Sequence, residues 1–364
     1  EILLVLFYKY YLENYIANGG SKGKVLVGKA GSVKTHLLRH IEYQARKMGY
    51  VSVIFSARMM EKGLNDIVNF YKEIVRHIDF FQIIKGLALK IAKELGYGID
   101  RYDGEERLLP LIIEGESSSQ DNAKRIIRKA VGEFIKKSNL SPSFAVLVIN
   151  VLYERLIGGE NKGTDIALKW LSGEKLERSE RQSSNLFEFL QKSNARYWLN
   201  SLIRLLLLTG QKGLVVLIDE IEVLTERDEL SKNYRYTRNA IGDAYEIFRQ
   251  IIDDVELLEG FLLILAGRWN IVDDESRGFR SYIALWMRLQ TGLKPSEKFN
   301  PYADIVNLDT MFQALGEDFL QKLSKHLIDI LQKMGYTRKY REIPDLSGYS
   351  PLRATVIENA MMIE

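Results

Sequence analysis

Short apolar runs alternate along this chain with longer segments of helical periodicity, which predicts a parallel sheet covered by helices. Tyr8 to Asn18 reads as the end of an amphipathic helix, and Gly19-Gly20-Ser21-Lys22-Gly23 then breaks it. A first strand follows at Val25-Leu26-Val27, and helical spacing sets in at Thr35 and continues to Lys47. After Met48-Gly49, the run Tyr50 to Ser56 completes a β-α-β unit. Two further buried strands are expected at Gly213 to Asp219 and Gly260 to Gly267, the second after a helix from about Asn239 to Leu258. Asp304 to Leu308 is a weaker fifth.

The stretch 57–213 is almost wholly helical in pattern and far longer than a crossover needs, so a helical region is inserted into the sheet domain. Within it, Gly115 to Asp121 reads as a flexible joint. Lys124, Arg125, Arg128, Lys129, Lys136 and Lys137 recur at helical spacing around an apolar stripe. That basic face suits nucleic-acid phosphates or plain solvation, and solvation is the simpler account. Thr310 to Gly335 is helical in period, and Ser350 and Pro351 open a final helix as N-cap and first turn. The expected organisation is a first core part over 1–75, a helical insertion over 76–205, a second core part over 206–308 and a C-terminal helical lid over 309–364.

Composition narrows the chemistry. Lys and Arg number 51 and Asp and Glu 48 in 364 residues, a net charge of +3 that does not by itself indicate nucleic acid. The absence of Cys excludes disulfides and thiolate chemistry. The four His lack metal-ligand spacing except for His36 and His40, an i,i+4 pair without the acid of an HExxH site, read as ordinary helix residues. The opening apolar run is too short to span a membrane and lacks a signal-peptide layout, so a cytoplasmic protein is expected. Because the chain opens at Glu1 without Met, a fragment is expected.

Between the first strand and its helix lies Gly28-Lys29-Ala30-Gly31-Ser32-Val33-Lys34-Thr35-His36. A P-loop requires Gly, four residues, then Gly-Lys-Ser/Thr; Gly28, Lys34 and Thr35 comply, and Val33 takes the place of the second glycine. Such a loop turns backbone N–H groups around phosphates at a helix N-terminus. Lys34 would set a cation on the β/γ oxygens, and Thr35 would offer its hydroxyl to Mg²⁺. Val33 adds a branched side chain where glycine is expected, which crowds the nucleotide or forces a backbone angle that glycine tolerates better. Gly213 to Glu222 ends an apolar strand in carboxylates, a Walker B pattern in which Asp219 holds Mg²⁺ through water and Glu220 orients or deprotonates the attacking water. At the end of the next strand, Asn270 is the neutral and Arg268 the charged candidate for the γ-phosphate, with a solvated loop as the alternative.

Four stretches carry a family likeness: the loop from Gly28 to His36 with the residues after it, Trp170 to Glu174, Gly213 to Glu222, and Arg277 to Leu289. The chain resembles the ATP-binding proteins of bacteriophage exclusion (BREX) systems, P-loop ATPases close to the AAA+ group. The resemblance implies an α/β P-loop NTPase three-layer sandwich with a mostly parallel sheet, and ATP and Mg²⁺ as cofactors. It implies an ATPase that works with other defence-system proteins on single- or double-stranded DNA, by remodelling or loading, with a homo-oligomer in view. It matches Arg353 to a lid sensor of the γ-phosphate. Arg280 and Arg288 become candidates to reach a neighbouring subunit's nucleotide, or else surface arginines paired with local carboxylates. The family's loop has glycine before the lysine, so Val33 is a departure. It keeps two other readings open: a nucleotide-poor scaffold or DNA-binding adaptor, and a regulatory ATPase switched by binding rather than by turnover.

Overall fold

The computed structural model describes residues 2–311 except 61–62, 117–118, 159–161, 229, 255–256 and 290–298. Strands β1 (Ser21–Val27), β2 (Val51–Ser56), β3 (Leu214–Asp219), β4 (Phe261–Gly267) and β5 (Ile305–Asn307) form one five-stranded sheet. Its order is β2-β3-β4-β1-β5, and every pairing is parallel. Residues of period two divide between two cores. Val25, Val53, Val216 and Leu263 face one, and Leu26, Val215, Leu217 and Ile264 face the other. A sheet apolar on both faces must be covered on both, which yields a three-layer α/β sandwich.

On one face lie α1 (Ile2–Val5), a π-helical run at Leu6–Tyr15 that continues it, and α2 (Lys34–Lys47). Leu38, Ile41 and Ala45 of α2 are the buried stripe. The opposite face carries the helices between β2 and β3: α3 (Ile67–Arg76), α4 (Phe80–Glu94), α5 (Leu109–Glu116), α6 (Gln120–Lys137), α7 (Pro142–Ile157), α8 (Lys162–Leu171), α9 (Arg178–Ser184) and α10 (Ala195–Leu208). All of them but α9 share one continuous core with that sheet face, as does α11 (Arg238–Asp253). Two short helices, α12 (Asn270–Asp273) and α13 (Ile283–Leu289), follow β4.

Between β2 and β3 the described residues form the eight helices α3 to α10, separated by turns and loops. Trp170 has a packing role: its ring centroid lies 4.1 Å from that of Trp198, with Phe144 and Tyr71 edge-on to the pair. Burying such large rings contributes about 2–3 kcal/mol each, and both indole N–H groups donate to Glu188, to its carbonyl and carboxylate respectively.

Three local expectations change. β1 begins at Ser21, inside the expected break, because pairing from Ser21 with Phe261 to Val27 with Gly267 recruits the small residues. A Cβ on Gly23 would stand 3.0 Å from Ile252 Cγ1, so glycine there lets α11 lie close to the strand. α11 stops at Asp253, short of Leu258. Near the expected joint, α5 runs to Glu116, and Ser119 caps α6 by accepting the Asn122 N–H at 3.3 Å. On α6, Arg125 bonds Asn122, Lys129 pairs with Glu133, and Arg128 lies over Tyr153, a solvated face with local partners. Among the described residues no helix is long and apolar enough to cross a membrane. The expected lid lies outside the described residues from 312 onward, Ser350, Pro351 and Arg353 included.

Candidate functional site

The loop from Gly28 to Val33 joins β1 to α2 at the carboxyl ends of the parallel strands, where open α/β sheets place their ligands. Its entry is fixed to β4 by the Gly28 N–H, which donates to the Gly267 carbonyl at 3.3 Å. A side chain at position 28 would collide with that of the fully buried Ser32, so glycine is required there. Val33 stands just before α2 with φ 54° and ψ 21°, the left-handed conformation. The second glycine of the motif is therefore absent in residue type and present in backbone shape. Holding a β-branched residue in that region costs about 1–2 kcal/mol. The Val33 side chain is 38 % exposed.

Lys34 turns inward. Its Nζ donates to the carbonyls of Gly28 at 2.8 Å and Lys29 at 2.9 Å and to Ser32 Oγ at 3.2 Å. Burial lowers its pKa, against the raising influence of Glu222, Asp219 and Asp309. Val33 gives α2 no side-chain cap, so the first turn of that helix presents its amides to the loop. His36 is exposed on that turn, and the His40 ring sits 5.7 Å from that of Tyr8.

Thr35 Oγ1 donates to Asp219 Oδ2 at 2.5 Å. Asp219 ends β3 as a buried carboxylate, and its Oδ1 accepts the Glu220 N–H at 2.8 Å. Glu220 follows in the left-handed region, φ 58° and ψ 35°, which turns its side chain back toward the end of β2. There it accepts from Ser56 Oγ and lies 3.3 Å from Arg58 Nε. Arg58 also pairs with Glu226 at 2.6 Å, and Arg268 pairs with Glu222 at 3.3 Å and with Glu226 at 3.8 Å. Charges thus alternate through Glu220, Arg58, Glu226, Arg268 and Glu222 across three strand ends. Burial raises the Glu222 pKa, with Arg268 and Lys34 opposing.

Sequence reasoning did not identify Ser56, Arg58, Glu226 or Asp309. Ser56 had a usable signal, since it closes β2 in register with Asp219. Asp309 follows β5 and accepts the Lys29 N–H at 3.0 Å, a contact that only the order of the sheet brings about. Arg268 is held by carboxylates, and Asn270 donates to Thr225 Oγ1 at 3.0 Å. Arg280 pairs with Asp273 at 3.4 Å and lies over Trp286, and Arg288 pairs with Asp253 at 2.5 Å. Among the described residues no cluster of three or more His, Asp or Glu has the layout of a metal site.

An all-parallel sheet in this order, with a glycine loop leading from β1 into α2, defines a P-loop NTPase-like α/β protein. The family model of the BREX system ATP-binding protein BrxC/D matches residues 12–347, and the chain belongs to that family. It is thereby placed among ATP-binding proteins of an anti-phage defence system. No curated protein and no solved structure matches the chain.

Proposed function

We propose that the chain is an AAA+-like ATPase that binds Mg²⁺·ATP at residues 28–36 and couples binding or hydrolysis to work on DNA in anti-phage defence. The observation that carries this reading is the meeting of Thr35 with Asp219 at 2.5 Å beside the inward-turned Lys34. A hydroxyl and a carboxylate are the hard oxygen donors that Mg²⁺ takes, together with phosphate oxygens and waters. In this reading Lys34 exchanges its carbonyl partners for the β/γ oxygens, and the first-turn amides of α2 hold the phosphates. Bound Mg²⁺ supplies charge neutralisation on those oxygens. Glu220 orients the attacking water and accepts its proton as the new P–O bond forms and ADP departs. Arg353 senses the γ-phosphate, and Arg288 reaches a neighbouring nucleotide only on leaving Asp253.

Val33 supports a second reading, a nucleotide-poor scaffold or DNA-binding adaptor, because it strains the loop and stands at its mouth. Phosphate release assays separate the two. The ATPase reading expects Mg²⁺-dependent release that Glu220→Gln abolishes while ATP binding persists. Neither binding nor release at millimolar ATP would overturn the ATPase reading.

A further inference from the structure

A second, unassigned pocket opens beside the amino end of α11, lined by Arg238, Gly242, Tyr245, Ser276, Arg277 and Tyr282 among others, with a volume of about 250 Å³. It shares no lining residue with the loop at 28–36. We propose that it is an oxyanion site for a phosphate group, held by Arg277 and Arg238 at the start of α11.

Arg277 is only 5 % exposed, yet among the described residues it has no carboxylate in ion-pair contact. Its guanidinium lies 3.6 Å from the centroid of the Tyr234 ring, one terminal nitrogen donates to the Tyr236 carbonyl, and Nε is buried without a partner. The nearby Asp274 interacts with its charge without an ion-pair contact between the two side chains. Asp274 Oδ1 accepts from Ser276 N–H and Oγ and from the Arg277 backbone N–H. Tyr282 Oη is likewise engaged, donating to Glu246, which Arg249 balances. A buried guanidinium left with an unmade hydrogen bond is costly unless a ligand completes it.

The setting suits an anion. Arg238 is the first residue of α11 and exposed, and its side chain has neither an ion pair nor a hydrogen bond among the described residues. α11 has 16 residues, and the positive end of its dipole adds to both arginines. Guanidinium forks match phosphate oxygens in geometry as well as in charge. A Cβ added to Gly242 would meet no heavy atom within 4 Å, so this helix position borders open space in the pocket wall.

Hydrogen exchange on the full chain, titrated with inorganic phosphate against chloride at matched ionic strength, tests the site. The expected result is saturable protection of amides in 239–245 and 276–282 that persists in Lys34→Ala, where the loop at 28–36 is disabled. Arg238→Ala should raise the half-saturating phosphate at least about tenfold. Gly242→Leu, which keeps every charge and favours the helix, should do the same by filling the pocket. Protection confined to 28–36, or protection unchanged in both variants, would overturn the assignment. A short oligothymidylate then identifies the source. Protection at lower phosphate-group concentration than inorganic phosphate requires assigns the site to a nucleic-acid backbone, and no protection by it assigns a free phosphate group.

Discussion

Thr35 and Asp219 meet at 2.5 Å although 184 residues separate them in the chain. The sheet order makes this possible, since β3 and β1 both border β4 and end on the same edge. If both serve one cation, removing either removes most of its hold. Thr35→Ala and Asp219→Asn should each abolish Mg²⁺-dependent phosphate release, and the double variant should lose little beyond the worse single one. Additive losses would show that the two act separately.

Arg58 and Ser56 occupy both oxygens of Glu220. A carboxylate engaged in this way is poorly placed to accept a proton from water. Arg58→Ala should therefore raise basal hydrolysis by about two- to tenfold while leaving ATP affinity unchanged, read by steady-state kinetics and equilibrium binding. A rate that falls in parallel with affinity would assign Arg58 to nucleotide binding instead.

Val33 holds the backbone shape of a glycine without being one. Val33→Gly relieves a strain of about 1–2 kcal/mol, offset in part by the greater freedom of glycine in the unfolded chain. Denaturant unfolding should show a gain of up to about 1 kcal/mol, together with tighter nucleotide binding. A loss of stability would mean that the left-handed geometry is not the source of strain.

Lys24 lies buried in β1, its Nζ donating to the carbonyls of Tyr302 at 2.9 Å and Ala303 at 2.6 Å. Burial lowers its pKa to about 8, helped by Lys22 and opposed by Asp304. The unfolded chain then binds this proton more tightly than the native one, so the Lys24 contribution to stability rises with pH from about 8 toward the ordinary lysine value near 10.5. Unfolding between pH 7.5 and 10 should show wild type gaining on Lys24→Met, with a slope of at most about 1.4 kcal/mol per pH unit. Parallel profiles would contradict a buried, titrating Lys24.

Much of this was legible in local pattern. Apolar runs marked all five strands, and the spacing of Gly28, Lys34 and Thr35 marked the loop. Apart from Thr35 and Asp219, which the motifs set on one Mg²⁺, polar partners brought together by the sheet were not legible. Arg58 looks like any surface arginine until β2 and β3 pair, and Asp309 reaches Lys29 only because β5 lies beside β1. Extents also depended on packing: the start of β1 at Ser21 follows from its partner β4, whereas the local sequence Gly19 to Gly23 reads as a break. The strain at Val33 could be suspected from its place in the motif, but its left-handed angle is a property of the folded loop.

If residues 28–36 hold ATP, Lys34 carries much of the affinity. Equilibrium titration of Mg²⁺·ATP into the full chain and into Lys34→Ala tests it most directly. Binding should be saturable and should weaken at least about tenfold in Lys34→Ala, since a charge-assisted contact to phosphate is worth about 1.5–3 kcal/mol. Equal binding by both proteins, or none by either at millimolar ATP, would contradict it.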